Sequence, residues 1–294
     1  MNARVLSAAL AAATGDGTLG DVVPVSGGCI NQCYAVRRAD ARLFVKVNRA
    51  GLADAFAAEA DGLAALGAAG MRVPAVIGHG TAADHAFLVL EHLALRRSSR
   101  EGFRALGAML ATVHLAEQPA CGWHRDNYIG ATPQSNAVAD EWAVFWVTRR
   151  LQPQLALAAR RGHRLSAAGL PGAARAVLAR HAVRPALLHG DLWSGNAAFL
   201  DDGGPVVFDP AVYCGDPDAD LAMTELFGGF PAAFYEAYRE VRPGDAGYPL
   251  RRTLYNLYHV LNHLNLFGDT YLGQAQSMID ELTAAAGDAG KEAT

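Results

Sequence analysis

The chain has 294 residues, of which 51% are hydrophobic and 18% are charged, and its formal net charge at pH 7 is −4. This composition is typical of a folded protein with one large domain or two lobes, and it argues against intrinsic disorder. The small negative charge argues against a surface for nucleic acid or anionic membranes, and no apolar run reaches the roughly 18 residues of a membrane span.

The first apolar stretch, residues 5–13, is rich in alanine and follows the single positive charge of Arg4. It predicts a surface helix, with a secretory signal as the alternative. The spacing of the four cysteines does not match a zinc ligand set, so we expect reduced thiols and a cytoplasmic protein. These cysteines are Cys29, Cys33, Cys121 and Cys214.

Strands are predicted for three segments in which apolar residues either alternate with polar ones or follow one another, namely 22–25, 32–36 and 43–47. Between the first two lies a turn with Gly27, Gly28 and Asn31. Consecutive glycines let a backbone approach phosphate groups closely and direct N–H groups at them. A plain hairpin turn would use the same residues, so this signal is weak alone.

Lys46 interrupts an apolar strand, where a charge is expected only if the fold or a ligand supplies a partner. Phe44 and Lys46 share one face of that strand, which could point into a cleft. The following helix, predicted over 52–69, carries Glu59, which could form an ion pair with the lysine. The alternative for both side chains is a solvated surface.

The next predicted strand, 87–90, ends at Glu91, His92 and Leu93. A short connector follows this strand and is predicted to form a hinge between the strand-rich part and the next part of the chain. Beyond this point the patterns are helical, and they predict helices over 100–116, 140–159, 248–267 and 271–286. We expect His114, within the first of these, to be a core or capping residue.

The most informative stretch runs from Leu187 to Asn196 and is followed by an apolar run that ends at Asp209. Asp191 and Asn196 lie five positions apart on a predicted loop, and residues 201–205 have the composition of a hairpin turn. If the apolar runs before Asp191 and Asp209 pair as strands, these three side chains meet. Carboxylate and amide oxygens are ligands for Mg²⁺, and a separate carboxylate can accept a hydroxyl proton. The pattern therefore indicates phosphoryl transfer, although Asp and Asn are also common turn residues.

Asp216 precedes Pro217 and is followed by Asp218 and Asp220, a pattern typical of a helix start. Helix capping could explain all three acids. Aromatic residues near the C-terminus are expected in the core, with the wall of a polar pocket as the alternative; they are Tyr255, Tyr258, Phe267 and Tyr271.

With these residues placed, the chain resembles the fructosamine kinase (ketosamine-3-kinase) family, within the larger aminoglycoside phosphotransferase and choline kinase group. Residues 188–196 and 207–213 carry the resemblance most strongly, supported by 226–230 and 257–265. Residues 27–31 and 46–48 resemble the family's nucleotide loop and lysine strand. Gly190 stands where protein kinases have the arginine that reads an activation-loop phosphate, so no phosphorylation-gated switch is expected.

The resemblance implies an α+β, bilobal, protein-kinase-like fold. Residues 1–92 would form a small antiparallel-sheet lobe with one key helix, and residues 93–294 a larger, mostly helical lobe. It implies an ATP-dependent kinase, with Mg²⁺, that phosphorylates a sugar hydroxyl, the 3-hydroxyl, of a free or protein-bound ketoamine. Its expected partners include neither nucleic acid nor a membrane.

The same resemblance implies a role for each candidate residue. Asp191 would be the catalytic base, Asn196 and Asp209 the metal ligands, and Trp193 and Asp216 the substrate contacts. The nucleotide would be bound by a larger set, namely Lys46, Glu59, Gly27, Gly28, Asn31, Glu91, His92 and Leu93.

Two alternatives remain open at this point. The chain could be a kinase for an aminoglycoside or choline-like amine, or a nucleotide-binding pseudokinase. Cys29, in the predicted phosphate loop, could have a reactive thiol that links two chains, or it could simply fill a turn. The expected oligomeric state is therefore a monomer or a redox-linked homodimer.

Overall fold

The computed structural model describes residues 3–25, 31–38 and 41–291. Five of its strands form one antiparallel sheet in the order β1-β2-β3-β5-β4. They are β1 (Val22–Val25), β2 (Gln32–Arg38), β3 (Ala41–Arg49), β4 (Val76–Ala82) and β5 (His85–Glu91). The strands predicted at 22–25, 32–36, 43–47 and 87–90 are therefore confirmed.

One helix covers each face of this sheet. Helix α1 (Ala3–Thr14) packs Leu6 and Leu10 against Val45 and the other residues of β3 on the same face. Helix α2 (Ala53–Ala68) packs Phe56 and Leu63 against the opposite face, where Phe44 lies. Because side chains alternate along a strand, Lys46 lies on the α2 face with Phe44. The helix predicted near the N-terminus is thus a packed part of the fold.

The remaining chain is mostly helical and begins after a connector at residues 92–99. Its helices are α3 (Arg100–Leu115), α4 (Trp142–Phe145), α5 (Gln152–Arg160), α6 (Leu170–Leu178), α7 (Asp218–Leu226), α8 (Ala232–Val241), α9 (Tyr248–Phe267) and α10 (Leu272–Lys291). A π-helical turn (Trp146–Leu151) joins α4 to α5. Helix α9 is buried along most of its length and forms the centre of this lobe.

Three short antiparallel ribbons carry the loops of the helical lobe. They are β6 (Asn127–Ile129) with β7 (Thr132–Gln134), β8 (Ala186–Leu188) with β11 (Tyr213–Gly215), and β9 (Ala197–Phe199) with β10 (Pro205–Val207). The pairing proposed from the sequence was wrong in one respect. The run before Asp191 pairs with β11, whereas the run before Asp209 pairs with β9, because the turn at 201–205 closes a local hairpin.

The architecture is α+β with a protein-kinase-like arrangement of a small sheet lobe and a helical lobe, as expected. The last strand of the sheet ends at Glu91, and the division into 1–92 and 93–294 stays a prediction. None of the described helices is long and apolar enough to cross a membrane.

Candidate active site

The loop that follows β8 turns sharply at Gly190. Its φ is +79°, and an added Cβ would overlap the carbonyl oxygen of Ala211. A side chain at this position would therefore meet both backbone strain and a steric clash. The absence of an arginine here, noted in the sequence, has a local cause in the packing of the loop.

Asp220 holds this loop from beneath. Its carboxylate accepts hydrogen bonds from the backbone N–H of His189 at 2.7 Å and of Gly190 at 2.8 Å. Burial alone would raise the pKa of Asp220, but hydrogen bonding and the charge of His114, with the backbone donors, lower it below its usual value. His114 lies 3.3 Å from Asp220 and 2.9 Å from the hydroxyl of Tyr238, so it is the core residue that we expected.

The sequence pattern around Asp220 indicates only the start of a helix and does not reveal this anchoring role. Acids are favoured in the first turn of any helix, so the local pattern contained no further signal. Asp220 does lie in the first turn of α7, and both explanations hold at once.

His189 connects the loop to the segment before Asp209. Its Nδ1 accepts from the backbone N–H of Asp191 at 3.3 Å, and its Nε2 lies 3.1 Å from the carbonyl oxygen of Phe208. The first contact fixes the tautomer, so Nε2 donates to Phe208. This side chain therefore couples the position of Asp191 to that of Asp209.

Asp191, Asn196 and Asp209 lie together at the mouth of the loop. The side-chain amide of Asn196 donates to the carboxylate of Asp191 at 3.2 Å and to its carbonyl oxygen at 2.9 Å. The same amide lies 3.4 Å from the carbonyl oxygen of Asp209, whose φ of +57° is rare outside glycine. No hydrogen bond among the described residues uses the Oδ1 of Asn196. This oxygen is therefore available to a bound ligand, beside the carboxylate of Asp209.

Asp191 has the electrostatic character of a base that works near neutral pH. Burial has the largest effect and, together with the negative charge of Asp209, raises the pKa of Asp191 to about 7. The hydrogen bond from Asn196 lowers this pKa but does not cancel the rise. His259 Nδ1 lies 4.0 Å from Asp191 Oδ1, but burial lowers the pKa of His259 to about 3. His259 is therefore neutral and does not stabilise the ionised carboxylate.

Lys46 is buried and faces the cleft, which excludes the solvated alternative. Its Nζ donates to Glu59 at 2.6 Å and also to Asp209. Burial alone would lower the pKa of Lys46, but the charges of Asp209 and Glu59 outweigh this effect and raise it. The ion pair predicted between Lys46 and Glu59 is therefore present, and Lys46 also connects the sheet lobe to the helical lobe.

Of the candidates in the predicted phosphate loop, only Asn31 lies within the described residues. Asn31 accepts a hydrogen bond from the side chain of Asn48 at 2.8 Å, whereas Gly27, Gly28 and Cys29 lie outside the described residues. Their predicted role stays a prediction.

The predicted hinge begins where β5 ends. The carboxylate of Glu91 bonds Arg72 at 2.6 Å and the backbone N–H of Ala75 at 3.1 Å, so this side chain fixes the chain beside the hinge. His92 and Leu93 follow and are partly buried. The assignment of these three residues to nucleotide binding also stays a prediction.

Trp193 projects from the loop between Asp191 and Asn196 and is partly exposed. Its ring packs edge-on against Phe227 with 6.0 Å between centroids, and Phe227 packs against His263 at 4.6 Å. Tyr255 and Tyr258 are fully buried core residues, as expected. Tyr271 also packs against this core and contacts the ring of His263, whereas Phe267 contacts His263 but is half exposed.

Asp216 does not suit the substrate role suggested from the sequence. It is fully buried, and its carboxylate accepts from the hydroxyl of Tyr255 at 2.5 Å and from the backbone N–H of Asp218 at 3.1 Å. His181 Nε2 lies 3.2 Å away. With its oxygens engaged in the core, Asp216 cannot contact a substrate amine, and the helix-start interpretation of this residue is the better one.

Comparison with known proteins gives a consistent result over nearly the whole chain. The profile of the fructosamine kinase family matches residues 3–285. A probable ketoamine kinase of Synechocystis is 50% identical over 260 residues, which cover 87% of this chain and 88% of that protein.

Solved structures extend the comparison. A Haemophilus somnus protein assigned as a fructosamine-3-kinase is 30% identical, with a TM-score of 0.86 and coverage of 93% of this chain and 95% of its own. The aminoglycoside phosphotransferase APH(4)-Ia, in a complex with ADP and hygromycin B, has a TM-score of 0.61 at 16% identity, with 91% of this chain and 95% of that chain covered. At that identity the likeness concerns the fold alone.

Proposed function

Because the chain belongs to the fructosamine kinase family, we propose that it transfers the γ-phosphoryl group of ATP to a sugar hydroxyl of a ketoamine. The hydroxyl proposed is the 3-hydroxyl of a fructosamine or ribulosamine. The observation that carries this proposal is the convergence of Lys46, Asp191, Asn196 and Asp209 from both lobes at one cleft.

Asp191 is proposed as the base. When the sugar oxygen forms its bond to phosphorus and the bond to ADP breaks, the hydroxyl proton leaves, and Asp191 accepts it. A pKa raised to about 7 supports this role, because the carboxylate is then basic enough to take the proton while about half of the molecules keep it ionised at pH 7. Asn196 orients Asp191 through its side-chain amide.

Asn196 and Asp209 are proposed as the ligands of Mg²⁺. Their oxygen atoms are hard donors of the kind that this ion prefers, and the Asn196 amide already points its nitrogen at Asp191, which leaves its oxygen for a ligand. When bound, the ion neutralises the charge of the phosphate oxygens.

Lys46 is proposed to bind the α- and β-phosphates, with Glu59 holding its ammonium group in place. Gly27, Gly28 and Asn31 would cover the phosphates, and the backbone of Glu91, His92 and Leu93 would read the adenine. Trp193 would form one wall of the sugar site, since it lies two residues from Asp191.

The proposal is tested by measuring ADP release with a fructosamine, an aminoglycoside and choline as acceptors, with and without Mg²⁺. We expect Mg²⁺-dependent turnover that is fastest with the ketoamine, and NMR of the product should locate the phosphate on the 3-oxygen. Ketoamine turnover no faster than aminoglycoside turnover would contradict the substrate assignment. An absence of ATP consumption with every acceptor would favour a pseudokinase.

Cys29 remains a predicted redox site, and a cytoplasmic location remains part of this proposal. Burial raises the pKa of Cys33, Cys121 and Cys214, which makes these three thiols poor nucleophiles. Peroxide should therefore oxidise Cys29 first and produce a dimer or an inactive enzyme that reductant restores. If activity and oligomeric state are the same before and after peroxide, the redox prediction for Cys29 is wrong.

A further inference from the structure

A loop of the helical lobe forms hydrogen bonds with helix α2. The indole Nε1 of Trp123 donates to the carboxylate of Asp61 at 2.7 Å, and His124 Nε2 lies 3.1 Å from the other oxygen of the same carboxylate. Asp61 retains only 27% side-chain exposure, and the ring of Trp123 packs against the core of the helical lobe. The contact is therefore more than a solvated surface pair.

The same loop makes a second contact two helical turns away. Arg125 donates to Asp54 at 2.7 Å, and the hydroxyl of Tyr128 lies 3.3 Å from that carboxylate. Asp54 and Asp61 are seven residues apart, so they lie on one side of α2. This second contact is more exposed and should contribute less than the first.

The loop itself is bound to the segment that follows Asp209. Gly122 and Cys214 exchange two backbone hydrogen bonds of 2.8 Å, and the side chain of Asn127 donates to the carbonyl oxygen of Val212 at 2.7 Å. On the α2 side, Gly62 approaches this segment so closely that an added Cβ would lie 3.2 Å from Val212. Helix α2 is thus held on one side by the loop and on another by the segment that carries Asp209.

These contacts close a ring through the site. Asp209 forms a hydrogen bond with Lys46, and Lys46 forms another with Glu59 on α2. Helix α2 in turn bonds Trp123, and the loop that carries Trp123 is bound to the segment that follows Asp209. Moving α2 away from Lys46 would disturb the contact with Trp123 at the same time, because Glu59 and Asp61 belong to one helix. The position of Glu59 is therefore coupled to a contact on the far side of its own helix.

We propose that Trp123 and Asp61 form a clamp, the α2 clamp, which keeps Glu59 in contact with Lys46 without any covalent modification. They are positioning residues that act through Glu59 on nucleotide binding. The inference rests on the proposed function, since it assigns Lys46 and Glu59 to the phosphates of ATP. The α2 clamp also gives a physical reason why no phosphorylated loop is needed, because its hydrogen bond already holds α2 in the position where Glu59 contacts Lys46.

The main test replaces Trp123 by phenylalanine, which keeps most of the ring packing and removes the N–H donor. We expect the KM for ATP and the Kd of Mg·ADP to rise about fivefold. A factor of this size corresponds to the loss of one hydrogen bond to a charged group that water partly screens. The KM for the ketoamine should stay within a factor of about two, because the loop with Asp191 is held independently by Asp220.

A second pair of variants guards against a folding defect. Asp61→Asn keeps an oxygen that accepts from Trp123 and should retain near-normal nucleotide affinity, whereas Asp61→Leu removes the acceptor and should match Trp123→Phe. Arg104→Ala serves as a control because it also removes a donor to a carboxylate, that of Glu240 at 2.9 Å, but between α3 and α8 and away from α2. It should change neither KM.

The last arm tests whether the clamp acts through Glu59. In a Glu59→Leu background, which removes the oxygen that accepts from Lys46, adding Trp123→Phe should weaken Mg·ADP binding less than twofold, because the coupled contact is already lost. A full fivefold effect in that background, or a lowered unfolding midpoint with an unchanged KM for ATP, would overturn the proposal. If the unmodified protein does not bind Mg·ADP at all, the proposed function fails and the clamp fails with it; normal binding that is insensitive to both positions refutes the clamp alone.

Discussion

Replacing Asp191 by asparagine should remove the proposed base and at the same time stabilise the protein. The substitution keeps the shape of the side chain and an oxygen that accepts from Asn196, so the loop should retain its conformation. Loss of a general base typically lowers turnover about 10²–10⁴-fold. Nucleotide binding should change little, because Lys46 contacts Asp209 and Glu59 and not Asp191.

The stability gain follows from the pKa of Asp191, which is about 7 in the folded protein against an ordinary value of 3.8. The folded state thus holds this proton more tightly than the unfolded chain. As pH rises from about 4 to 7 the unfolded chain has already lost its proton, so the folded state loses stability over that window. Above pH 7 the carboxylate of Asp191 is ionised in both states, and the folded state has lost all of the stability that this proton contributed.

The magnitude has an upper bound of about 4 kcal/mol, since each tenfold change in an acid constant corresponds to about 1.4 kcal/mol. The side chain of Asp191 is still 21% exposed, and water in the cleft screens its charge, so we expect a gain of about 1–2 kcal/mol at pH 8. Asparagine does not ionise, so the gain should vanish near pH 4.

Urea unfolding of both proteins at pH 4, 6 and 8 measures this gain, and ADP release with a ketoamine measures turnover. Asp201→Asn is a matched control, because it makes the same chemical change at an exposed carboxylate whose pKa is lowered by its hydrogen bond to Arg96. It should give no stabilisation at pH 8. An equal stability difference for Asp191→Asn at pH 4 and pH 8, or retained turnover, would refute the assignment.

Four further outcomes follow from the same contacts. Lys46→Met should raise the KM for ATP by about tenfold or more through loss of a charged donor, with an unchanged ketoamine KM, and an equal rise in both would contradict a phosphate role. Trp193→Ala should show the opposite pattern, a KM raised about tenfold for the ketoamine alone. Gly190→Ala should destabilise the protein by more than about 2 kcal/mol in urea unfolding, because its Cβ would overlap Ala211 at a positive φ, and an unchanged midpoint would show that the loop can relax. The value of kcat/KM should fall as pH drops below about 7, as Asp191 takes up a proton; a flat profile down to pH 5 would contradict this ionisation.

Some features could be predicted from the sequence because they depend on neighbouring residues. The strands of the sheet lobe, the face of Lys46 and the hairpin at 201–205 follow from strand periodicity and turn chemistry. Asp191 and Asn196 lie only five positions apart on one loop, so their contact is a local property.

Other features were decided by the tertiary structure, because they join polar groups from distant parts of the chain. Asp220 reaches the backbone of His189 across 31 positions, and Trp123 reaches Asp61 across 62. The acids of α7 share one helix-start pattern, yet Asp216 is buried in the core and Asp220 anchors the loop of Asp191. Sequence spacing determines which groups of one element share a face, but which buried partner satisfies each polar group depends on how the elements pack.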